Sequence, residues 1–152
     1  DTGLTVGNTF TPTERARFDA SGNLGLLGVG APNVSLDTSG AIATRKTSVT
    51  LVNGANQNVN IGNAGQIIVT GPTAAFNIGG FTGGFDGRKL IVLNDSIGFT
   101  MTFNNGDAGS SAANRISTLT GASVGVGTTL GGIAEFIYDT GVSNWILRNH
   151  NP

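Results

Sequence analysis

Two Asp-x-Ser-Gly sequences carry the first candidate chemical groups of this chain, the carboxylates of Asp19 and Asp37. A carboxylate pair could serve acid/base catalysis or bind Ca²⁺. A calcium loop, however, needs several further oxygen ligands at fixed offsets. In Asp-x-Ser-Gly the carboxylate accepts a hydrogen bond from a backbone N–H two residues on, and glycine adopts the positive φ that other residues resist. The two sequences therefore predict tight turns, each following a short strand.

Catalysis by the remaining acids is a second hypothesis, because glycoside hydrolysis needs two carboxyl groups about 5–9.5 Å apart. Glu135 lies in a strand-like segment, where a cross-strand ion pair with Arg148 is the favoured alternative to a catalytic acid. One histidine and no cysteine exclude a nucleophile–base triad within one chain. We therefore expect no enzyme, and a polysaccharide depolymerase fragment is the less favoured reading. The acids outside the two turns include Glu14, Asp86, Asp95, Asp107, Glu135 and Asp139.

The sole histidine, His150, is the one candidate metal ligand. Three copies near a threefold axis could hold a metal through their imidazole nitrogens. A His-x-His spacing would favour such a site, but the neighbours here are Asn149 and Asn151. We predict no cofactor and no metal, with His150 in a solvated tail.

A long polar loop provides the best candidates for ligand contact. Its side chains hydrogen-bond hydroxyl groups readily, and binding loops on a rigid β-scaffold are common. The alternative is a plain solvated connection. The candidate residues are Asn104, Asn105, Asp107, Ser110 and Ser111.

Tyr138 and Trp145 form a second candidate contact, since aromatic rings can stack on the apolar faces of pyranose sugars. Both lie in strands of mixed apolar character, so a pair in the core is the alternative.

The composition indicates a protein that buries surface against copies of itself. Of the 152 residues 25 are glycine, and only 11% are charged, against roughly 25% in an average soluble domain. No charge occurs from Thr47 to Phe85. The net charge of −1 gives no support for nucleic-acid binding. There is no apolar run of eighteen residues, so we expect no membrane insertion.

The distribution of strand-like runs predicts an all-β chain in two parts. Residues 1–46 hold runs of three or four residues that are too short to pair stably alone in water. Residues 47–152 hold longer runs, predicted to form a small antiparallel β-sandwich-like head. Within it, residues 49–52 and 58–61 read as a hairpin, as do 133–138 and 144–148. Because the chain starts at Asp1 without Met, we expect it to be part of a longer protein.

A resemblance to the receptor-binding tail fibres of tailed bacteriophages rests on two features. One is the phrase from Glu14 to Leu26, similar to the Glu-Arg-x-Arg-(apolar)-Asp-x-Ser-Gly-Asn-(apolar)-Gly phrase of such fibre shafts. The other is the closing layout of residues 87–90, 114–116, 135–139 and 145–147, which looks like the small β domain ending such fibres.

The resemblance implies a parallel homotrimer in the virion tail, with a shaft at 1–46 and a head at 47–152. It implies that the head binds a host-cell surface polysaccharide or outer-membrane component. It supplies no site residue. A trimeric bacterial adhesin or a structural spacer is the alternative.

Overall fold

The computed structural model describes residues 16–18, 20, 24–26, 36–38, 41–44, 46–127 and 131–151. Contacts between Cα atoms divide the chain into an N-terminal unit, Asp1–Ala43, and a C-terminal unit, Thr44–Pro152. In the described part, every regular element is a β-strand except one 3-10 turn at Ala112–Asn114. The predicted all-β class is confirmed.

The N-terminal unit contains a sheet of three short strands. They are β1 (Ala16–Phe18), β2 (Leu24–Leu26) and β3 (Leu36–Thr38). β2 lies between an antiparallel β1 and a parallel β3. Asp37 pairs with Gly25 in this sheet, so the second Asp-x-Ser-Gly sequence begins inside a strand. The turn predicted at Asp19 lies outside the described residues.

The C-terminal unit begins as a β-solenoid-like stack of three coils. Its strands are β4 (Lys46–Thr50), β5 (Gly54–Asn56), β6 (Gln66–Thr70), β7 (Phe76–Ile78), β8 (Lys89–Asn94) and β9 (Met101–Phe103). β4, β6 and β8 are parallel neighbours in one sheet, and β5, β7 and β9 are parallel neighbours in a second. Each coil therefore contributes one strand to each sheet.

Four further strands close the stack. They are β10 (Ile116–Ser117), β11 (Val124–Val126), β12 (Gly132–Asp139) and β13 (Asn144–His150). The first sheet has the order β10-β13-β12-β8-β6-β4, and the second has β11-β9-β7-β5. β12 and β13 form the antiparallel hairpin that the sequence predicted.

The predicted antiparallel head and its first hairpin are corrected by this topology. Residues 46–50 pair with β6 rather than with the segment after Asn53, and β5 lies in the other sheet. The segment that looked like a hairpin loop, residues 53–57, instead contains β5 and carries the chain from the first sheet to the second. The Asn53 Oδ1 accepts from the backbone N–H groups of Thr73 (2.7 Å) and Ala74 (3.1 Å) in the next corner. Turn-forming residues predict where a strand ends. They do not predict which strand the chain pairs with next, because that depends on the packing of the core.

Alternation along the strands builds one core between the two sheets. The first sheet contributes residues such as Ile67, Val92 and Phe136, and the second contributes Phe76 and Phe103, all at most 2% exposed. On β9, Met101 and Phe103 point inward while Thr102 points outward, the alternation typical of a β-strand. Each large apolar side chain buried in this way contributes roughly 1.5–3 kcal/mol.

An aromatic cluster connects the coils to the closing hairpin. Phe81 contacts Phe136 with ring centroids 5.3 Å apart and Trp145 at 5.8 Å, both edge-to-face. Phe103 contacts Phe136 at 4.8 Å. The Trp145 indole N–H donates to the carbonyl of Phe81 at 2.9 Å. These contacts fix the hairpin against the last turn of the stack.

Arg88 is a buried cation whose hydrogen-bond partners are all backbone carbonyls. Its side chain is 7% exposed, and its guanidinium donates to the carbonyls of Gly83, Gly62 and Ala64. The group also lies 5.8 Å from the ring centroid of Trp145. Burial lowers the pKa of the Arg88 guanidinium, which stays protonated because an arginine cannot be neutralised in a protein. Arg88 thus joins the corner between β5 and β6 to the turn before β8.

We predict that Arg88→Lys lowers the free energy of unfolding by about 2–3 kcal/mol. A lysine ammonium lacks the planar fork that reaches three carbonyls. A buried carbonyl that is left without a hydrogen-bond donor costs about 1–3 kcal/mol. Urea unfolding followed by Trp145 fluorescence measures the change. The matched control is Arg148→Lys at an exposed position, expected to shift stability by less than about 0.5 kcal/mol. Equal effects of the two changes would contradict a structural role for Arg88.

Candidate functional site

The predicted contact loop is a tightly bonded turn built around Asp107. The Asp107 Oδ2 accepts from the Asn104 side-chain amide at 2.9 Å, and Oδ1 accepts from the backbone N–H of Gly109 at 2.8 Å. The Asn104 amide, followed by the Gly109 N–H, holds the pKa of Asp107 below its ordinary value. Asn104 and Asp107 therefore order the loop through bonds to each other and to its backbone.

A second set of bonds connects this loop to the first coil. Ser110 is 2% exposed, and its Oγ accepts from the backbone N–H of Asn58 at 3.2 Å. The Asn58 Oδ1 in turn accepts from the Ser111 backbone N–H at 2.9 Å and from the Asn114 side-chain amide at 2.8 Å. Asn58 has φ +49°, which asparagine tolerates better than most residues. The sequence did not identify Asn58 as a site residue. No local pattern indicates that it contacts residues that lie 52 to 56 positions further along the chain.

Tyr138 and Trp145 lie in the core, which was the alternative considered for them. Trp145 is fully buried, and Tyr138 is 5% exposed with its hydroxyl donating to the carbonyl of Ala113 at 2.9 Å. Their rings pack edge-to-face at 5.3 Å. In this structure neither ring presents a face on which a sugar could stack, because the closing hairpin needs both to fill the core.

A polar groove lies where the loop, β10 and the β12–β13 turn meet. It has a cavity volume of about 340 Å³. Ile116, 1% exposed, belongs to its floor, and Val142, 54% exposed, provides an apolar surface on one wall. Of the predicted contact residues, Asn105 lines this groove. The other polar side chains that line it are Arg115, Ser117, Ser143 and Asn144.

Arg115 is the charged residue among those lining the groove. Hydrogen bonds hold both its backbone and its side chain. Its backbone carbonyl accepts from the Trp145 N–H at 2.9 Å. Its Nε donates to the carbonyl of Ser110 at 3.1 Å. Guanidinium groups have a rigid fork of five donors, so Arg115 can offer its terminal nitrogens to an oxygen-rich ligand. Arg115 was not among the predicted contacts, because its sequence neighbours read as a strand.

Asn105 is held by Thr118, the residue that follows β10. Its Oδ1 accepts from the backbone N–H of Thr118 at 3.0 Å and from the Thr118 hydroxyl at 3.1 Å. On the opposite wall, the Asn144 amide donates to the carbonyl of Val142 at 2.9 Å. Both amides are thereby oriented before any ligand arrives, which reduces the entropy cost of binding.

Of the candidate catalytic residues, Glu14 lies outside the described residues, and neither the other candidate acids nor His150 are among the residues that line this groove. The Asp86 carboxylate accepts from the backbone N–H and hydroxyl of Thr140, and Asp139 accepts from the Gly141 N–H. Glu135 stands opposite Asn149 rather than Arg148, because a bulge shifts the register beside it. His150 is exposed at the end of β13. Within the described residues, no three His, Cys, Asp or Glu side chains gather as a metal site would require.

A scan of protein-family models and a search of curated proteins return no match for this chain. Across the described residues, no helix has the length and apolar character needed to cross a membrane.

The lowered pKa of Asp107 predicts a pH-dependent contribution to stability. Because the folded-state pKa lies below the unfolded value of about 3.9, the carboxylate stabilises the fold above that pH. This stabilisation is lost as pH falls through the folded-state pKa. Asp107→Asn should therefore lower the urea midpoint at pH 6, with a much smaller difference from wild type at pH 2.5. The control is Asp95→Asn, at an exposed carboxyl in another turn. An equal loss of the urea midpoint in Asp107→Asn at both pH values would contradict a stabilising role for the ionised Asp107 carboxylate.

Proposed function

We propose that this chain is the receptor-binding tip of a bacteriophage tail fibre, which attaches the virion to a host-cell surface polysaccharide or outer-membrane component without cleaving it. Residues 1–46 serve as shaft and residues 47–152 as head in a homotrimer. The observation that carries the proposal is the polar groove of about 340 Å³, whose amide, hydroxyl and guanidinium groups suit an oxygen-rich surface ligand.

Rigidity of the groove supports binding as its role. Its walls are oriented by bonds to the backbone at Asn105, Arg115 and Asn144. Its floor, Ile116, is opposite the buried Trp145 in the β10–β13 pair. A site held in this way by a packed scaffold loses little freedom when it binds. The exposed Val142 side chain beside these polar groups matches the mixed polar and apolar surface of a sugar ring.

The chemistry of the described carboxylates supports binding rather than hydrolysis. Asp86, Asp107 and Asp139 all accept hydrogen bonds from turn backbones. No acid is among the residues that line the groove. A retaining or inverting glycosidase needs two carboxyl groups flanking the scissile bond.

The direct test is whether fluorescently labelled protein decorates bacterial cells and competes with phage adsorption across a strain panel. Decoration that is lost when surface polysaccharide is stripped identifies a glycan receptor. Failure to decorate or compete on any strain would overturn the proposal and favour an adhesin or spacer role. New reducing ends after incubation with capsule or lipopolysaccharide would instead indicate a depolymerase.

On a strain that wild-type protein decorates, we predict that Arg115→Ala weakens binding by about 10-fold or more and Asn144→Ala by about 2- to 10-fold. A hydrogen bond to a charged group is worth about 1.5–3 kcal/mol and one between neutral groups about 0.5–1.5 kcal/mol, and 1.4 kcal/mol corresponds to tenfold in affinity. Titration of labelled protein onto cells measures the change. Matched controls outside the groove are Arg148→Ala and Asn149→Ala, both at exposed positions. Equal binding by groove variants and controls would exclude the groove as the receptor site.

A further inference from the structure

Arg115 is the groove residue whose hydrogen-bonding capacity is used least by the fold. A guanidinium has five N–H donors. Among the described residues, the Arg115 guanidinium makes one hydrogen bond, from Nε to the carbonyl of Ser110. Arg88 provides a comparison within the same chain, because its guanidinium donates to three backbone carbonyls. The fold therefore uses the Arg88 guanidinium fully, whereas the two terminal nitrogens of Arg115 can donate to a ligand.

Carboxylates near Arg115 leave its charge available. Both oxygens of Asp107 accept hydrogen bonds within their own loop, and of the groups that lower the pKa of Asp107, Arg115 contributes least. Asp139 accepts from a turn backbone N–H and lies on β12, which β13 separates from β10. Strands are about 4.8 Å apart, so two strand steps exceed the ~8 Å Debye length at physiological salt. No carboxylate is among the residues that line the groove.

The amide of Asn105 adds further donors to the groove. Its Oδ1 already accepts two hydrogen bonds from Thr118, so the amide can offer only N–H donors to a ligand. The Ser117 hydroxyl, which can donate or accept, also lines the groove. Hydrogen bonds in which a partner is ionised are roughly twice as strong as those between neutral groups. Donors around one cation therefore favour a ligand whose oxygens carry negative charge.

The volume and the remaining lining suit a single sugar residue. A cavity of about 340 Å³ is at the small end of the ~300–1,000 Å³ of small-molecule sites. The Asn144 Nδ2 donates to the carbonyl of Val142, so its Oδ1 is the atom that can accept from a sugar hydroxyl. The Val142 side chain, 54% exposed, offers an apolar contact to the C–H face of a sugar ring. The groove thus has separate contacts for an anionic group, a hydroxyl and a C–H face.

We infer that the groove recognises an acidic sugar residue of the receptor glycan, whose carboxylate or phosphate oxygens accept hydrogen bonds from Arg115. The inference rests on the proposed function and names the class of receptor that the groove selects. A carboxylate can pair with two guanidinium N–H groups at once, whereas a neutral sugar leaves the charge of Arg115 without a counter-charge. Hydrogen bonds to Ser110 and Trp145 already hold this arginine, so little side-chain freedom is lost on binding.

The first test uses polysaccharide from a strain that wild-type protein decorates. Native polysaccharide is compared with material whose carboxyl groups have been reduced to alcohols and with material freed of phosphate. Wild type should bind the native form at least about tenfold more tightly than one treated form, because that form lacks the partner of a charge-assisted hydrogen bond. Weaker binding after carboxyl reduction identifies a carboxylate, and weaker binding after phosphate removal identifies a phosphate. Equal binding to all three forms would overturn the inference.

Variants assign this preference to Arg115. Arg115→Gln should bind native and treated polysaccharide equally, because glutamine keeps a donor and removes the charge. Arg115→Lys should keep part of the preference, since the charge remains and the planar fork is lost. The matched control Arg148→Gln, at an exposed position outside the groove, should keep the full wild-type preference. An Arg115→Gln protein that still prefers the native form would overturn the inference.

A titration followed by nuclear magnetic resonance needs neither a variant nor a known receptor. Isotope-labelled wild-type protein is titrated with sodium glucuronate, with a glucose phosphate and with neutral methyl glucoside at equal ionic strength. At least one anionic sugar should shift the Arg115 Nε–H and Asn105 side-chain amide signals at a concentration about tenfold or more below that of methyl glucoside. Equal shifts with methyl glucoside, or no shift with either anion, would contradict the inference, including in the case where Arg115→Gln fails to fold.

Failure of the inference and failure of the proposed function give different results. Wild-type protein that decorates cells but binds native and treated polysaccharide equally would keep the receptor-binding role and reject the acidic sugar. Binding of glucuronate at Arg115 by a protein that decorates no strain would uphold the acidic-sugar site and reject the tail-fibre role.

Discussion

The packing of Trp145 against Phe81 is the interaction on which the C-terminal unit depends. The indole contacts the Phe81 ring and donates to the Phe81 carbonyl, so β13 is joined to the corner that follows β7. The backbone N–H of Trp145 bonds to Arg115, and its ring lies beside the Arg88 guanidinium. The parallel coils, the closing hairpin and the groove are therefore all in contact with this one residue, Trp145. Since closely packed interiors transmit small displacements, the geometry of the groove depends on this core contact.

Among the described residues, amides and backbone groups satisfy the polar interior of the C-terminal unit. Asn53 and Asn58 bond the backbone of neighbouring corners, and Arg88 is surrounded by carbonyls. A stack of coils brings corners into register, and an amide can both donate and accept there without the desolvation cost of a charge. This explains how a chain with 11% charged residues can order long loops.

The inner surface of the six-stranded sheet fills the core, while its outer surface mixes aliphatic side chains with Lys89 and Glu135. The groove lies at the β10 edge of the same sheet and is lined by polar groups. In the proposed homotrimer each groove would be repeated, and several weak contacts with a cell surface would act together.

The sequence by itself determined the all-β class and the closing hairpin, because these follow from local alternation and turn residues. Only the tertiary structure decided that the first strands stack in parallel, because alternation specifies which side chains are buried and not which strand is the neighbour. The same holds for the site: Asn58 reaches the loop from another coil, and Arg115 is held to the closing hairpin by the backbone N–H of Trp145. The Trp145 ring is buried because the core requires its volume. Contacts between residues distant in sequence follow from the packing of the whole core, which no short segment encodes.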